Sequence, residues 1–296
     1  MKTLKMLRMF SFVTALIILC AGTASAEIKI GVLAKRGADV AIAQWGPTGD
    51  YLTEKIGEKA TIIPLKFENI EHMVKEGKID FLLANSAFFV EMEKKYQARA
   101  IATMVNSVGG KPMDTFGGVI FVKKDSPIQT LADIRGKKFM VVDFSSFGGA
   151  HMAWRLLLEN GIDPKKDTAA FLEGKKHDNV VLAVLNGVAD VGSVRSDTLE
   201  RMQDEGKIKM ADFRIINQIH DDFPFVHSTQ LYPEWPMVAM AHTSADVAAK
   251  VTEALKAVTP DSPSAKAGKI FGWKDAADFS PVRECLTIIK YGPFAQ

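Results

Sequence analysis

Cysteine is nearly absent from this chain. Its 296 residues hold two, Cys20 and Cys285, and the first lies in a stretch that reads as a cleaved leader. One remaining thiol cannot close an internal disulfide, and no Cys/His spacing matches a zinc site. Excess charge of one sign is lacking as well: 37 Lys and Arg face 35 Asp and Glu. Three of the basic residues and none of the acidic ones fall in the leader, so the rest of the chain sits near neutrality, and its basic pI belongs mostly to the targeting segment. A near-neutral surface argues against nucleic acid as partner, because phosphate backbones are bound by clustered Lys and Arg. Beyond the leader there is no apolar run long enough to span a bilayer, no short-period repeat and no low-complexity tract. A Walker loop, a dinucleotide fingerprint and a zinc motif are all missing. No cofactor and no metal are therefore expected.

What is present begins with the leader. Lys2, Lys5 and Arg8 precede an apolar stretch from Met9 to Leu19, and Ala24-Ser25-Ala26 follows. That is the order of a secretory signal peptide, residues 1–26. Leu19 stands where a lipid-attachment site wants a small residue, so lipidation of Cys20 is not expected. The mature protein, 27–296, is expected to be soluble in the periplasm. Export without disulfides fits a core large enough to be stable alone.

The mature chain alternates strand and helix. Strands are expected at Ile28–Leu33, Thr61–Leu65, Ile79–Leu83, Gly117–Val122, Lys138–Val142, Ala189–Ser193, Phe213–Ile216 and Trp235–Met240. Helices are expected at 38–56 (interrupted or bent near Gly46-Pro47), 69–76, 87–96, from about Gly148 to Asn160, 177–186 and 244–258. Such alternation reads as βαβ units around mainly parallel sheets flanked by helices. Two such sets, with the C-terminal helices returning to the first, predict two lobes joined by two crossings. Residues 27–118 and 232–296 would form one lobe and 119–231 the other, with a ligand cleft between them.

Helix starts and strand ends line such clefts, and three segments place polar groups there. Asn85-Ser86 follows the strand ending at Leu83. Ser145-Ser146 with Gly148 opens the helix after Val142. His177 opens the helix ending at Asn186, and Arg195 and Asp197 follow the next strand. Unpaired backbone N–H groups and the helix dipole make a helix start an anion seat. The plainer readings are a serine N-cap at Ser86 or Ser146, an ordinary hydrogen-bonded His177, and Asp197 as cap of the helix after it.

In the order of its motifs the chain resembles the periplasmic phosphate/phosphite/phosphonate-binding proteins, the type II solute-binding proteins of ABC importers. The likeness rests on Gln44-Trp45, Asp125-Ser126-Pro127-Ile128, Ser145-Ser146-Phe147-Gly148, and His177 ahead of Ala183-Val184-Leu185-Asn186-Gly187-Val188-Ala189-Asp190-Val191. It covers most of the mature chain and weakens after about Phe223. The resemblance implies an α/β, two-lobed type II periplasmic binding protein fold. It also implies an oxyanion held by Ser145, Ser146, Gly148 and His177, with Asp197 where the family places an acid for a ligand amine.

Ser146-Phe147-Gly148-Gly149, Val194 to Met202 and Leu231-Tyr232-Pro233-Glu234-Trp235-Pro236 further resemble the periplasmic domains of tetrathionate-responsive sensor kinases. Phosphonate binders carry an aromatic where Ala84 stands and an uncharged polar residue where Arg195 stands, so the expected ligand stays a small oxyanion: phosphonate, phosphite, phosphate or a sulfur oxyanion. Arg195 would contact it or pair with Asp197. The protein is expected to serve the membrane permease of an ABC importer; as no kinase segment accompanies it, a free-standing partner of a sensor histidine kinase is the alternative.

An enzyme is not expected. Ser146, His177 and Asp197 are the right types for a hydrolase, but Phe144 stands where a nucleophile elbow needs glycine. Lys35 and Arg36 read either as charges steering anions inward or as a solvated loop. His220, Asp221, Asp222 and His227 match no metal spacing and read as a surface turn. Trp45 and Tyr232 are the expected cleft aromatics.

Overall fold

The computed structural model describes residues 27–295; the expected signal peptide lies outside them. In chain order the strands are β1 (Ile28–Leu33), β2 (Ala60–Leu65), β3 (Phe81–Leu83), β4 (Arg99–Val108), β5 (Lys111–Met113), β6 (Thr115–Phe116) and β7 (Gly118–Lys123). After these come β8 (Lys138–Val141), β9 (Ala170–Glu173), β10 (Val191–Arg195), β11 (Phe213–Ile216), β12 (Tyr232–Pro233), β13 (Pro236–Ala239) and β14 (Ile270–Lys274). They make two main sheets with helices around them. The first runs β14-β4-β13-β3-β1-β2, with β5 on β4, and the second β11-β7-β10-β8-β9.

The two crossings between sheets are short and pair with each other: β6 and β12 form their own antiparallel ladder, Tyr232 opposite Phe116. The sheets are mixed rather than mainly parallel. Parallel pairing holds for β2-β1-β3 and for β9-β8-β10. The reversal comes from strands that enter a sheet after a crossing. β7 runs against both β10 and β11, and β13 against both β3 and β4. A chain that leaves one sheet and enters another through a tight crossing meets the new sheet from the opposite end, so its direction there is fixed by the connection.

The expected helices lie where apolar spacing placed them. The helix Ala38–Ile56 runs unbroken through Pro47, with Ala41, Trp45, Thr48, Gly49 and Leu52 buried along one stripe. That continuous face outweighs the one backbone bond a proline removes. Six strands stand where the sequence predicted none: the short β5, β6, β9 and β12, and the two main-sheet strands β4 and β14. β4 is only half-buried over most of its length, so it lacks the apolar run that marks a central strand. β14 is broken in register near Gly272, which sits at φ +156° against the Val258 carbonyl.

The largest core cluster joins the two halves. Phe147, Met152 and Trp154 from the second half pack with Tyr232, Cys285 and the first sheet. Arg155 ties the helix Met152–Glu159 to the C-terminal helix Ser280–Ile288 through Glu284, at 3.1 Å. Tyr232 is therefore core, not cleft wall. It is 1% exposed, receives a hydrogen bond from Arg155 at 3.3 Å and lies edge-on to Phe147. Cys285 is buried, and burial pushes its thiol up to about 12, which leaves it unreactive.

Candidate functional site

After β8 the chain turns at Asp143 into a widened helical turn, Phe147–His151, that continues as the helix Met152–Glu159. Ser146 caps it: its Oγ accepts from the Gly149 N–H at 3.3 Å. The N–H groups of Phe147 and Gly148 have no partner among the described residues, which leaves two donors at the dipole's positive end. Gly148 is required by closeness. A Cβ there would stand 2.8 Å from the Phe116 ring and 3.2 Å from Arg195 Cβ.

Ser145 goes elsewhere. Its hydroxyl donates to Asp143 Oδ1 at 2.7 Å and its own N–H to the same oxygen at 3.0 Å. Asp143, bonded also by Lys175 at 3.1 Å, holds that loop. The two serines thus diverge, and only Ser146 reaches the interlobe space.

The other half supplies Asn85 and Lys35. Asn85 caps the helix Ser86–Tyr96, accepting from Ala87 and Phe88, while its Nδ2 lies 3.5 Å from the Ser145 carbonyl across the lobes. Ser86 turns away; its hydroxyl donates to the Pro233 carbonyl at 2.7 Å and anchors a crossing strand. Lys35 follows β1. It forms no ion pair among the described residues, and its Nζ stands 5.1 Å from the Trp235 ring centre. Burial, then the charge of Arg195, pushes its amino group down to about 8, against the opposing pull of Asp197 and Glu234.

His177 opens the helix His177–Leu185 and is buried. Its Nδ1 accepts from the Arg195 backbone N–H at 3.3 Å, so its proton sits on Nε2. Burial, followed by Lys35, Arg195 and Arg201, holds the imidazole well below its ordinary value, and it is a neutral donor at physiological pH. A Ser-His-Asp hydrolase needs the opposite arrangement, with a carboxylate on Nδ1 and a free Nε2 lone pair toward the serine. Here Nδ1 is taken by a donor.

The charge of Arg195 is met by a buried carboxylate. The guanidinium makes a two-oxygen ion pair with Glu234, whose side chain is fully buried, and lies over the Phe116 ring at 4.2 Å. Asp197 Oδ2 is 3.5 Å from Arg195 Nε. Burial works against the guanidinium charge, but Glu234 and Asp197 outweigh it. Asp197 itself sits at φ +79° and makes no side-chain cap for the helix Thr198–Asp204.

Together Lys35, Asn85, Phe116, Ser146, Gly148, His177, Arg195 and Trp235 enclose a seat of about 10 Å³, space for one water-sized atom. It adjoins a larger cleft of about 640 Å³ that shares Lys35, His177, Arg195 and Trp235 as its wall. Of the sequence-predicted residues, Asn85, Ser146, Gly148, His177 and Arg195 meet at the seat. Asp197 lines the cleft alone, and Ser86 and Ser145 line neither. Glu234 and Trp235 were not singled out for the site, and nothing but their place in Tyr232-Pro233-Glu234-Trp235-Pro236 marks them. Lys35 carried a signal, a cation just past the first strand, that a solvated loop would share. At the cleft mouth Arg36 meets Glu205 of the other half at 2.9 Å, and Arg201 and Lys207 complete the cluster. No three His, Cys, Asp or Glu among the described residues are grouped to hold a metal. His227 instead pairs with Asp221 at 3.1 Å. No helix among them is long and apolar enough to cross a membrane.

A family described as "ABC transporter, phosphonate, periplasmic substrate-binding protein" matches residues 30–282. The tetrathionate sensor histidine kinase TtrS of Salmonella typhimurium is 29% identical over 291 residues, 98% of this chain and 48% of that protein. The chain thus spans about half the length of that relative. Among solved structures, a binding protein component of an ABC phosphonate transporter from Pseudomonas aeruginosa superposes with TM-score 0.75 at 17% identity, covering 90% of this chain and 87% of that one. A Xanthomonas citri protein bound to ATP gives 0.73 at 19%, covering 90% and 98%. The Prochlorococcus marinus protein PhnD1 in complex with methylphosphonate gives 0.72 at 13%, covering 88% and 97%. At such identities these neighbours speak for the fold.

Proposed function

Because this chain belongs to the family of periplasmic substrate-binding proteins of phosphonate ABC transporters, we propose that it captures a small oxyanion between its lobes in the periplasm and delivers it to an ABC permease. The candidates are phosphonate, phosphite, phosphate and sulfur oxyanions. The observation that carries this reading is the seat itself. Lys35 from one half and Ser146, Gly148 and His177 from the other converge on one spot, and every group they offer there is a donor. Lys35 brings a positive charge with no carboxylate partner among the described residues; an oxyanion would supply it. A seat of about 10 Å³ holds a whole headgroup only with the adjoining cleft or after a small parting of the lobes, which is how a two-lobed binder couples ligand to closure. The neutral His177, with Nδ1 already occupied, supports binding over hydrolysis.

A second reading has its own support. The likeness to a tetrathionate sensor histidine kinase extends over 98% of this chain, which favours a ligand-sensing partner of a histidine kinase. Both readings share the seat.

A thermal-shift screen of phosphate, phosphite, methylphosphonate, sulfate, thiosulfate and tetrathionate tests the shared part. One or more should raise the melting temperature, since only the folded state binds. No shift at saturating concentration of any would contradict it. Deletion of the gene then separates the roles. Loss of uptake of the active anion supports import; loss of the transcriptional response with uptake intact supports sensing.

A further inference from the structure

Each half of the molecule carries two neighbouring residues that meet the other half at the cleft. Lys35-Arg36 follows β1 in one, and His177-Asp178 opens a helix in the other. In both pairs the first residue borders the seat and the second does not. Arg36 instead reaches across the mouth. Its Nη2 donates to Glu205 Oε1 at 2.9 Å and to Oε2 at 3.1 Å, and stands 3.9 Å from Asp178. Less than a third of the Arg36 or Glu205 side chain is exposed.

A tight turn binds Arg36 to Lys35. The Ala34 N–H donates to the Leu65 carbonyl at 2.8 Å and the Gly37 N–H to the Ala34 carbonyl at 3.0 Å. Gly37, at φ +113°, takes a conformation that favours glycine as the chain leaves the turn for the helix Ala38–Ile56. Moving Arg36 away from Glu205 therefore moves Lys35 as well.

The partners of Arg36 are already balanced within their own half. Arg201 pairs with Asp178 and, at 3.0 Å, with Glu205; Lys207 lies 3.1 Å from Asp178 and 2.7 Å from Glu205. Burial works against the charge of Glu205, but Lys207 and Arg201, then Arg36, hold its carboxyl down to about 2. Arg36 is a third cation brought from the other side, so its loss leaves the two carboxylates paired. What goes is a contact that exists only while the lobes meet. Arg155 to Tyr232 and Arg195 to Glu234 tie the halves at the second crossing instead, and Asn85 Nδ2 reaches the Ser145 carbonyl only at 3.5 Å.

We propose that Arg36 is a latch: its bond to Glu205 holds the lobes shut before an anion arrives and sets Lys35 opposite His177. It is a positioning residue and touches no guest. The latch stands on these contacts alone, whereas its effect on affinity rests on the oxyanion-capture reading.

Spin labels at Ile42→Cys and Lys209→Cys, both exposed and on opposite lobes, test it, since the buried Cys285 does not compete for label. Pulsed electron-spin-resonance distances are measured in buffer free of phosphate and sulfur oxyanions. The labelled parent should show mainly the short distance. Arg36→Gln should raise the open-to-shut ratio about threefold or more, as expected for a two-oxygen pair within a charge network, and leave the melting temperature unchanged. Arg36→Lys should restore part of the shut population, a point charge replacing the fork. Identical distances in the parent and Arg36→Gln, or a parent already open, would overturn the latch.

Calorimetric titration with methylphosphonate, phosphate, thiosulfate and tetrathionate follows. For each that binds, Arg36→Gln should weaken affinity by the factor by which its shut fraction falls. A loss of affinity with no change in distance would overturn the latch and make Arg36 a direct contact. Binding of none of the four would remove the oxyanion reading, with the distances still deciding the latch.

Discussion

Arg195, at the end of β10, grips both oxygens of Glu234 just past the second crossing strand. The pair is buried, the crossing residue Phe116 lies under the guanidinium, and Asn106 donates to the same carboxylate. It therefore fastens the junction of the lobes rather than presenting a free charge to a ligand. Glu234→Ala should cost about 3–5 kcal/mol, because it strands a buried guanidinium. The Arg195→Met/Glu234→Leu double variant should regain much of that loss. Denaturant melts of the three proteins check this; a single variant as stable as the parent would show the pair to be idle.

Among the described residues, Lys35 is the seat's cation without a carboxylate partner. Lys35→Met should weaken binding of the active oxyanion about tenfold or more, the loss of one charge-assisted hydrogen bond. It should not lower stability, since the amino group already sits in surroundings that disfavour its charge. Calorimetric titration and a thermal melt on the same sample read both effects.

The same lysine sets a pH dependence. Its amino group titrates near 8 because burial, Arg195 and Arg201 disfavour the charge more than Asp197 and Glu234 favour it. An anion binds the ammonium form. Below pH 8 that form is present; above it, binding must draw in a proton. Affinity should hold from about pH 6 to 8 and then fall by up to about tenfold per pH unit. Lys35→Arg should remove the fall, because a guanidinium stays charged. A flat parental profile to pH 9.5 would exclude Lys35 as the contact.

The adjacent serines should part company. Ser146→Ala removes a helix cap and a seat hydroxyl, costing about 1 kcal/mol of stability and weakening the oxyanion. Ser145→Ala, with its hydroxyl committed to Asp143, should leave affinity within about twofold of the parent. Equal losses in both would mean that the Ser145 side chain turns into the cleft.

Glu91 offers a test of the core. Burial pushes its carboxyl up to about 7, with Glu71 adding to the rise and Lys95 opposing it, and Oε1 has no partner among the described residues. A carboxyl whose folded value is raised binds its proton more tightly folded than unfolded. Stability from this group is present at low pH and is lost as pH rises from about 4.5 through about 7. Glu91→Gln should raise stability at pH 8 by roughly 1–3 kcal/mol and flatten that fall. Thermal melts from pH 5 to 8 check it.

Much of this was legible in the sequence. The βαβ rhythm located most of the helices and eight strands, because apolar periodicity and glycine stops act locally. β4 and β14 escaped because their burial depends on neighbours brought in by the crossings. Ser146, Gly148, His177 and Asn85 were legible as helix starts, since the chemistry of a helix start is written in the few residues around it. Whether a hydroxyl turns into a cleft or back to its own loop is not, and Ser145 went to Asp143. Arg195 was legible only as a ligand contact or a partner of Asp197, and its main partner, Glu234, lies 39 residues away. Asp197, two residues on, was the partner that closeness in sequence suggested.

The central claim is that an oxyanion sits between Lys35 and His177, held from both lobes. A crystal structure of the protein grown with saturating methylphosphonate, or with whichever oxyanion shifts the melting curve most, tests it most directly. The account predicts ligand oxygens within hydrogen-bonding distance of Lys35 Nζ, His177 Nε2 and the Gly148 N–H. Density for the anion elsewhere on the protein, with that seat filled by side chains alone, would contradict it.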